Sequence, residues 1–399
     1  IRISAFNAQF ERLILSRFFP ELAEESLLEP SRFRCTQVEA YHLGFSGTLD
    51  DCLHQADLPA AKQENGRALI QKFCMPQPKN RKVRRWRAKD APEDWAQFTE
   101  YCKTDVYVEC MLHDYCNRVM GELDEPDWEM YALDQEINDR GLPVDLDLVY
   151  KAEQAREDEK PLLVEWLREF TGLENPGSRA QFLGWWNENQ PELKVENLRK
   201  ETVAAMLENL PAGNIYRDAI LTYQQVARTS NSKWATIKKS ASLADEWGWV
   251  RGCFQMRGAS RTGRWAGRRL QPQNLATPTK GIDVDESIAL IKAGIVNITD
   301  NVMDQLASSV RGAICAPPGK QLVVADWSSI EARLAAWVTD CQLMLKVFKK
   351  DLDIYQSLAV SIFGKPYDQI TKAERNHAKP AALGCQYMLS GYGLMKYAK

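Results

Sequence analysis

The sequence contains no apolar run that approaches the roughly 18 residues of a membrane-spanning helix, so a helical membrane protein is not expected. It has no C-x-x-C pair, and its ten Cys residues are scattered. Cys102, Cys110 and Cys116 lie at helix-like separations without a His–Cys cluster nearby, which favours reduced thiols in a reducing compartment over a zinc site. Internal repeats and low-complexity tracts are missing. A dominant charge is missing too: the formal net charge is −3, which neither announces nor excludes a nucleic-acid binder, because a local basic stripe decides that. The start shows no signal-peptide pattern, and the first residue is Ile1 rather than Met, so a fragment of a longer chain is expected.

What is present is ordinary globular material. The 399 residues suffice for two or three domains, with 45% hydrophobic and 26% charged residues. Residues 1–120 read as a mixed α/β unit. "AQFERLILSRFF" places Phe10, Leu13, Ile14 and Phe18 on one helix face. "RKVRRWR" (81–87) is a basic run in a Pro- and Lys-rich loop. From Asp94, taken as the cap, to Met120 the pattern is one long helix with Phe98, Cys102, Val106 and Cys110 recurring every four. Residues 126–240 read as mostly helical, with a stop at Gly141, a short extended stretch through Pro143, and a single helix over "TYQQVARTSNSKWATIKKSAS". Glycine, arginine and short apolar runs, then a strand–helix step, fill 250–345; helices return over 353–399.

Three segments carry chemistry. In "LVVADWSSIEARLAAWVTD" (322–340) a short apolar strand is expected to end at Asp326. A helix follows, with Ile330, Leu334, Trp337 and Val338 on its apolar face and Glu331 in its first turns. A carboxylate at a strand end suits Mg²⁺, which takes carboxylate and phosphate oxygens; capping of the helix by Asp326 is the competing account, and on this segment alone the stronger one. In "TKAERNHAKPAALGCQYMLSGYG" (371–393), Thr371 and Glu374 fit a capping box. Arg375, Lys379, Leu383 and Tyr387 then recur every four residues. Two cations in line suit a polyphosphate and the following apolar and aromatic positions a base, although a solvated basic turn running into a core stripe has the same spacing. "GASRTGRWAGRRLQPQNLATP" (258–278) sets Arg261, Arg264, Arg268 and Arg269 among glycines, ahead of Gln273 and Asn274, a composition suited to a sugar–phosphate backbone, although by itself an Arg-rich loop is often simply solvated.

Together and in this order, the segments resemble the polymerase domain of family A (polymerase I-like) DNA polymerases. "TGR" with the later "QN" is similar to that family's template–primer segment. "DWSSIEAR" is similar to motif A, D-x-S-x-I-E-x-R, and "RNHAKPAALGCQY" to motif B, R-x3-K-x3-[F/L/Y]-G-x2-Y. Upstream, "FNAQFE" resembles the second motif of DnaQ-like 3′–5′ proofreading exonucleases and "YCKTD" (101–105) the third. "DLPAAKQENGRALIQKFCMPQPKN" and the Trp-rich style are similar to bacteriophage members.

The resemblance implies an α/β plus mostly helical fold: a truncated RNase H-like exonuclease domain (1–122), polymerase entry and thumb helices (123–250), a palm with motif A (251–345) and partial fingers with motif B (346–399). It implies template-directed DNA synthesis in phage replication, by two-metal transfer with Mg²⁺, or alternatively Mn²⁺, two per active site. Asp326 would bind both metals. Arg375 and Lys379 would hold the triphosphate, Leu383 and Tyr387 would pack on the nascent base pair, and Glu331 would exclude a 2′-hydroxyl. Arg264, Gln273 and Asn274 would touch primer and template. In the exonuclease, Glu11 and Asp105 would be metal ligands, Tyr101 would orient the attacking water, and Asn7 would help shape the site. Glu11 stands where the family more often has Asp. Implied partners are primer–template DNA, dNTPs and replication accessory proteins, with no membrane, in the cytoplasm of a bacterial host.

The Asp-x-Glu expected before "FNAQFE" and the His-Asp-Glu-like motif expected after motif B are not in the sequence. The expectation is an internal fragment with negligible polymerisation and proofreading as it stands. A non-catalytic, polymerase-derived DNA-binding module is the alternative, and a stand-alone nuclease with a substrate clamp a third reading. Pro380 should kink its helix, and Met388 stands where many family members have Gly.

Overall fold

A computed structural model describes residues 2–24, 28–59, 65–78, 83, 85–242, 248–260, 262–299, 301–385 and 388–397. It is mostly helical and forms two compact units, Ile1–Gln321 and Leu322–Lys399. No helix among the described residues is long and apolar enough to cross a membrane.

The first unit opens with strand β1 (Ile3–Ala5), helices α1 (Ala8–Phe18) and α2 (Glu21–Glu24), and strand β2 (Phe33–Cys35), which pairs parallel with β1. Helices α3 (Thr36–His42), α4 (Leu49–Gln55), α5 (Gly66–Cys74) and α6 (Pro92–Met120) follow. Ala40, Leu53, Val108, Leu112 and Cys116 pack α3 and α4 on α6. Helix α7 (Glu125–Arg140) begins at an Asp124 cap and stops at Gly141, whose φ of 77° closes it and starts strand β3 (Leu142–Val144). Helix α8 (Leu146–Thr171) is capped by Asp145, which accepts from the Leu148 N–H at 3.0 Å. Helices α9 (Arg179–Asn189), α10 (Lys200–Glu208) and α11 (Ile215–Ala227) form a side bundle in which Phe182 stacks on Tyr223 at 4.1 Å between centroids.

Helix α12 (Ser232–Ser240) returns to the main core and leads into β4 (Ala241–Ser242) and β5 (Gly248–Val250), which with β3 make an antiparallel sheet of order β3-β5-β4. The hairpin β6 (Phe254–Ala259) and β7 (Arg264–Gly267) comes next, then α13 (Val284–Ala293) and α14 (Val302–Ser309). Leu148, Trp234, Val250, Leu270, Ile291 and Leu306 are the centre of this core. The Trp234 indole donates to the Leu306 carbonyl at 3.1 Å, so the burial leaves no orphan N–H.

The second unit consists of α15 (Ile330–Val338), α16 (Gln342–Lys349), α17 (Ile354–Phe363), α18 (Lys372–Cys385) and α19 (Gly391–Tyr397).

Several expectations need correction. The stretch 322–326 forms no strand; Val323 and Val324 are 84% and 90% exposed, because an apolar run becomes a buried strand only where a neighbouring strand takes its backbone groups. The stripes read as buried faces are the exposed ones: Phe10, Leu13, Ile14 and Phe18 on α1, and Ile330, Leu334, Trp337 and Val338 on α15. Helix α1 buries Ala8 and Arg12 instead, and α15 buries Ala332 and Ala336. On α6 the exposed side carries Cys102, Val106 and Cys110, and the inward side carries Val108, Leu112 and Cys116. That helix starts two residues before Asp94, with Ala91 at the cap position. The single helix expected through 242 is two, broken at Arg228–Asn231. Helices α13 and α14 occupy part of 250–345, where the composition points only to glycine, arginine and short apolar runs ahead of one strand–helix step.

Candidate active site

In the second unit Asp326 is exposed and does not cap α15; the cap position is Ser329, in the left-handed region at φ 53°. The capping account of Asp326 is thereby removed. Glu331 lies in the first turn of α15, half-buried. Arg333 fixes this helix: it donates to the Ser328 carbonyl at 2.8 Å and lies 4.5 Å over the Phe348 ring of α16.

The start of α18 follows the expected pattern. The Thr371 hydroxyl accepts from the Glu374 N–H at 3.2 Å, and Glu374 accepts from the Thr371 N–H at 2.9 Å. Lys365 pairs with the same carboxylate. The helix continues through Pro380 to Cys385. Arg375 donates to Asp353 at 2.7 Å, and both Arg375 and Lys379 lie over the Tyr355 ring, at 5.0 and 5.7 Å from its centroid. Asp353 also caps α17, accepting from the Gln356 N–H at 2.8 Å. Two cations spaced one turn apart thus share one aromatic ring. Leu383 is half-buried one turn beyond Lys379; Tyr387 lies outside the described residues. Met388 has φ 58°, the backbone state that glycine adopts without strain.

Sequence reasoning missed Asp353 and Tyr355. "DIYQS" after a loop is a readable helix start, but nothing local couples it to Arg375.

No group of three or more His, Cys, Asp or Glu in the described residues could by itself hold a metal. Asp326 is an exposed carboxylate that belongs to no such group. That donor chemistry fits a Mg²⁺ ion that takes its remaining oxygens from phosphate and water.

In the first unit, α6 brings Tyr101 and Asp105 together. Burial first, and the hydrogen bond with Asp105 second, push the Tyr101 phenol up to about 12, so it is a neutral donor at physiological pH. Gly66 makes room for it: a Cβ there would lie 2.4 Å from the Tyr101 ring. Glu11 has a buried Oε2 without a hydrogen-bond partner, and burial, helped by the charge of Glu109, raises its pKa. Glu109 lies one turn along α6 from Asp105 and accepts from the Thr36 hydroxyl at 2.6 Å. Glu39, raised chiefly by burial, pairs with His113 at 2.7 Å. The orphaned Glu11 oxygen fits a cation. Glu39, Glu109 and His113 lay outside every motif read from the sequence. Asn7 is at the cap position of α1, left-handed at φ 65°.

Arg264 opens β7 and is exposed. Gln273 and Asn274 are exposed in the 3-10 turn Pro272–Asn274, where Asn274 donates to Gln271 at 3.2 Å. A Cβ on Gly267 would lie 2.8 Å from the Gln271 Cα, so glycine allows this turn to fold back on β7. Asn274 also lines a cleft of about 580 Å³ with Arg228, Thr229, Ser230, Ser232 and Lys233, a second polar surface that the motifs did not reveal, in which Arg228 is ion-paired with Asp304 and Lys233 donates to the Leu270 carbonyl at 3.0 Å.

The sequence pattern of DNA polymerase family A matches residues 163–399. A DNA polymerase of Bacillus phage SP02 is 35% identical over 393 residues, covering 96% of this chain and 58% of that protein. DNA polymerase I of Aquifex aeolicus is 41% identical over 90 residues, 23% of this chain and 16% of that one. Among solved structures, the POL domain of Pol1 from M. smegmatis, in complex with DNA primer-template and dNTP, is similar with a TM-score of 0.55. The match has 18% identity and covers 91% of this chain and 55% of that chain, a likeness of fold. This chain thus spans 58% of the length of the phage relative.

Proposed function

The chain belongs to DNA polymerase family A, and from that premise we propose that it contributes the nucleotide-binding and part of the DNA-binding surface of a phage replicative polymerase. The reaction is addition of deoxynucleotides to a primer 3′ end. The observation that carries the reading is the pair Arg375 and Lys379 above Tyr355, in the same compact unit as Asp326 and Glu331.

Arg375 and Lys379 bind the triphosphate of an incoming dNTP and stabilise charge developing on it. Leu383 and Tyr387 pack on the base. Glu331 occupies the space a 2′-hydroxyl would need. Arg264, Gln273, Asn274 and the cleft at Arg228 and Lys233 grip the primer–template backbone. Asp326 would hold Mg²⁺, which when bound supplies charge neutralisation and activation of the primer hydroxyl. A 3′–5′ proofreading site is part of the same proposal: Glu11 and Asp105 would hold a divalent metal, and the neutral Tyr101 phenol would orient the attacking water.

The test is binding of a fluorescent dNTP to the chain in Mg²⁺. Arg375→Ala and Lys379→Ala should each weaken it on the order of tenfold. Binding that survives both substitutions overturns the assignment. Primer–template binding without any Mg²⁺-dependent dNTP binding, and indifferent to Asp326→Ala, would instead favour a DNA-binding module without catalysis.

A further inference from the structure

Helix α7 buries two polar side chains one turn apart, Asp134 and Asn138, at 3% and 2% exposure. Both reach the β6–β7 hairpin. Asn138 donates to the Phe254 carbonyl at 3.0 Å and accepts from the Phe254 N–H at 2.9 Å, as a neighbouring strand would. Asp134 accepts from the Trp265 indole N–H at 2.5 Å, and also from Gln135 and Asn138 at 3.0 and 3.2 Å. Each strand of the hairpin is therefore tied to the same helix, β6 through Phe254 and β7 through Trp265.

Burying a carboxylate is costly, and an apolar residue would fill the space as well. What an apolar residue cannot do is accept the Trp265 N–H. Side chains alternate along a strand, so a Trp265 held toward α7 puts its neighbour Arg264 on the opposite face.

We propose that Asp134 is a positioning residue for primer–template binding: by holding Trp265 it fixes β7 so that Arg264 is presented to the nucleic-acid backbone. This rests on the reading of Arg264 as a DNA contact.

The experiment uses the full chain and a labelled primer–template duplex, with anisotropy titrations at several salt concentrations. Arg264→Ala is expected to lower the slope of log K against log salt by about 0.9, the loss of one phosphate contact. Trp265→Phe and Asp134→Leu should do the same and weaken binding roughly fivefold. Asp134→Asn keeps an acceptor and should stay within about twofold of the parent. Combining Trp265→Phe with Arg264→Ala should weaken binding no further than Arg264→Ala alone. Hydrogen exchange should speed up at 254–259 and 264–267 in Trp265→Phe while the α8 core stays protected.

A Trp265→Phe chain that binds normally while Arg264→Ala does not overturns the inference and leaves the function intact. Additive effects, or unchanged hairpin exchange, overturn it as well. An Arg264→Ala chain that binds like the parent overturns the DNA-contact role itself, and this inference with it.

Discussion

Arg375 and Asp353 are 22 positions apart in the chain and are joined by a 2.7 Å ion pair. The same carboxylate caps α17, so one side chain both starts a helix and orients the cation of its neighbour. Burial acts to raise the Asp353 pKa, but the bonds from Arg375 and from the Gln356 N–H outweigh it and leave it below the usual carboxylate range. Asp353→Ala should lower stability by about 1 kcal/mol through the lost cap, and weaken dNTP binding several-fold by releasing Arg375. Asp353→Asn should restore the stability alone. Denaturant midpoints and dNTP titrations on the two variants separate the roles.

Glu374 gives a pH dependence. The bond from Lys365, then the Thr371 backbone N–H, depress its pKa from 4.5 to about 2. A depressed carboxylate contributes stability above its unfolded value and loses it as pH falls through the folded one. The start of α18 should therefore stay ordered down to about pH 4.5 and lose this support on the way to pH 2. Carboxyl chemical shifts followed through an acid titration report it. A Glu374 midpoint at the ordinary value would show that the capping box does not persist in solution.

Gly66→Ala should force the Tyr101 ring aside, because the new methyl would lie 2.4 Å from it. The expected loss is about 1–3 kcal/mol, as for an overpacked site. A ring pushed out of its buried position, and with it away from Asp105, should have its phenol come down from about 12 toward 10, read by NMR of ring-labelled tyrosine. Substitution without either change would mean that the Gly66–Tyr101 contact is looser than the structure has it.

Met388→Gly should stabilise the second unit by about 0.5–1 kcal/mol, since Met388 is 93% exposed and left-handed at φ 58°. Thermal melts measure it. A destabilised Met388→Gly chain would argue that the side chain finds contacts when DNA or nucleotide is absent.

The local rules were legible. The Thr371–Glu374 box, the α7 stop at Gly141, the long α6 and the helical character of 126–240 and 353–399 follow from caps, glycine and periodicity, which act over a few residues. The order and spacing of the motifs around Asp326 and Arg375 pointed to the family that the comparisons show; the roles of Asp326, Glu331, Arg375 and Lys379 remain part of the proposal. Which face of a helix is buried was not legible. On α1, α6 and α15 an apolar stripe exists, yet burial went to the other side, because burial depends on what packs there and not on the stripe itself.

Pairings across long separations were decided by tertiary structure alone. Arg375 with Asp353 and Tyr355, Glu109 with Thr36, Trp265 with Asp134, and Arg12 with Asp139 at 2.7 Å each join segments with no shared local signal. A sequence fixes such a partner only through the packing of whole elements. Local caps and helix stops are written in a few neighbouring residues and were readable in advance; the partners that hold Arg375, Trp265 and Arg12 in place were not.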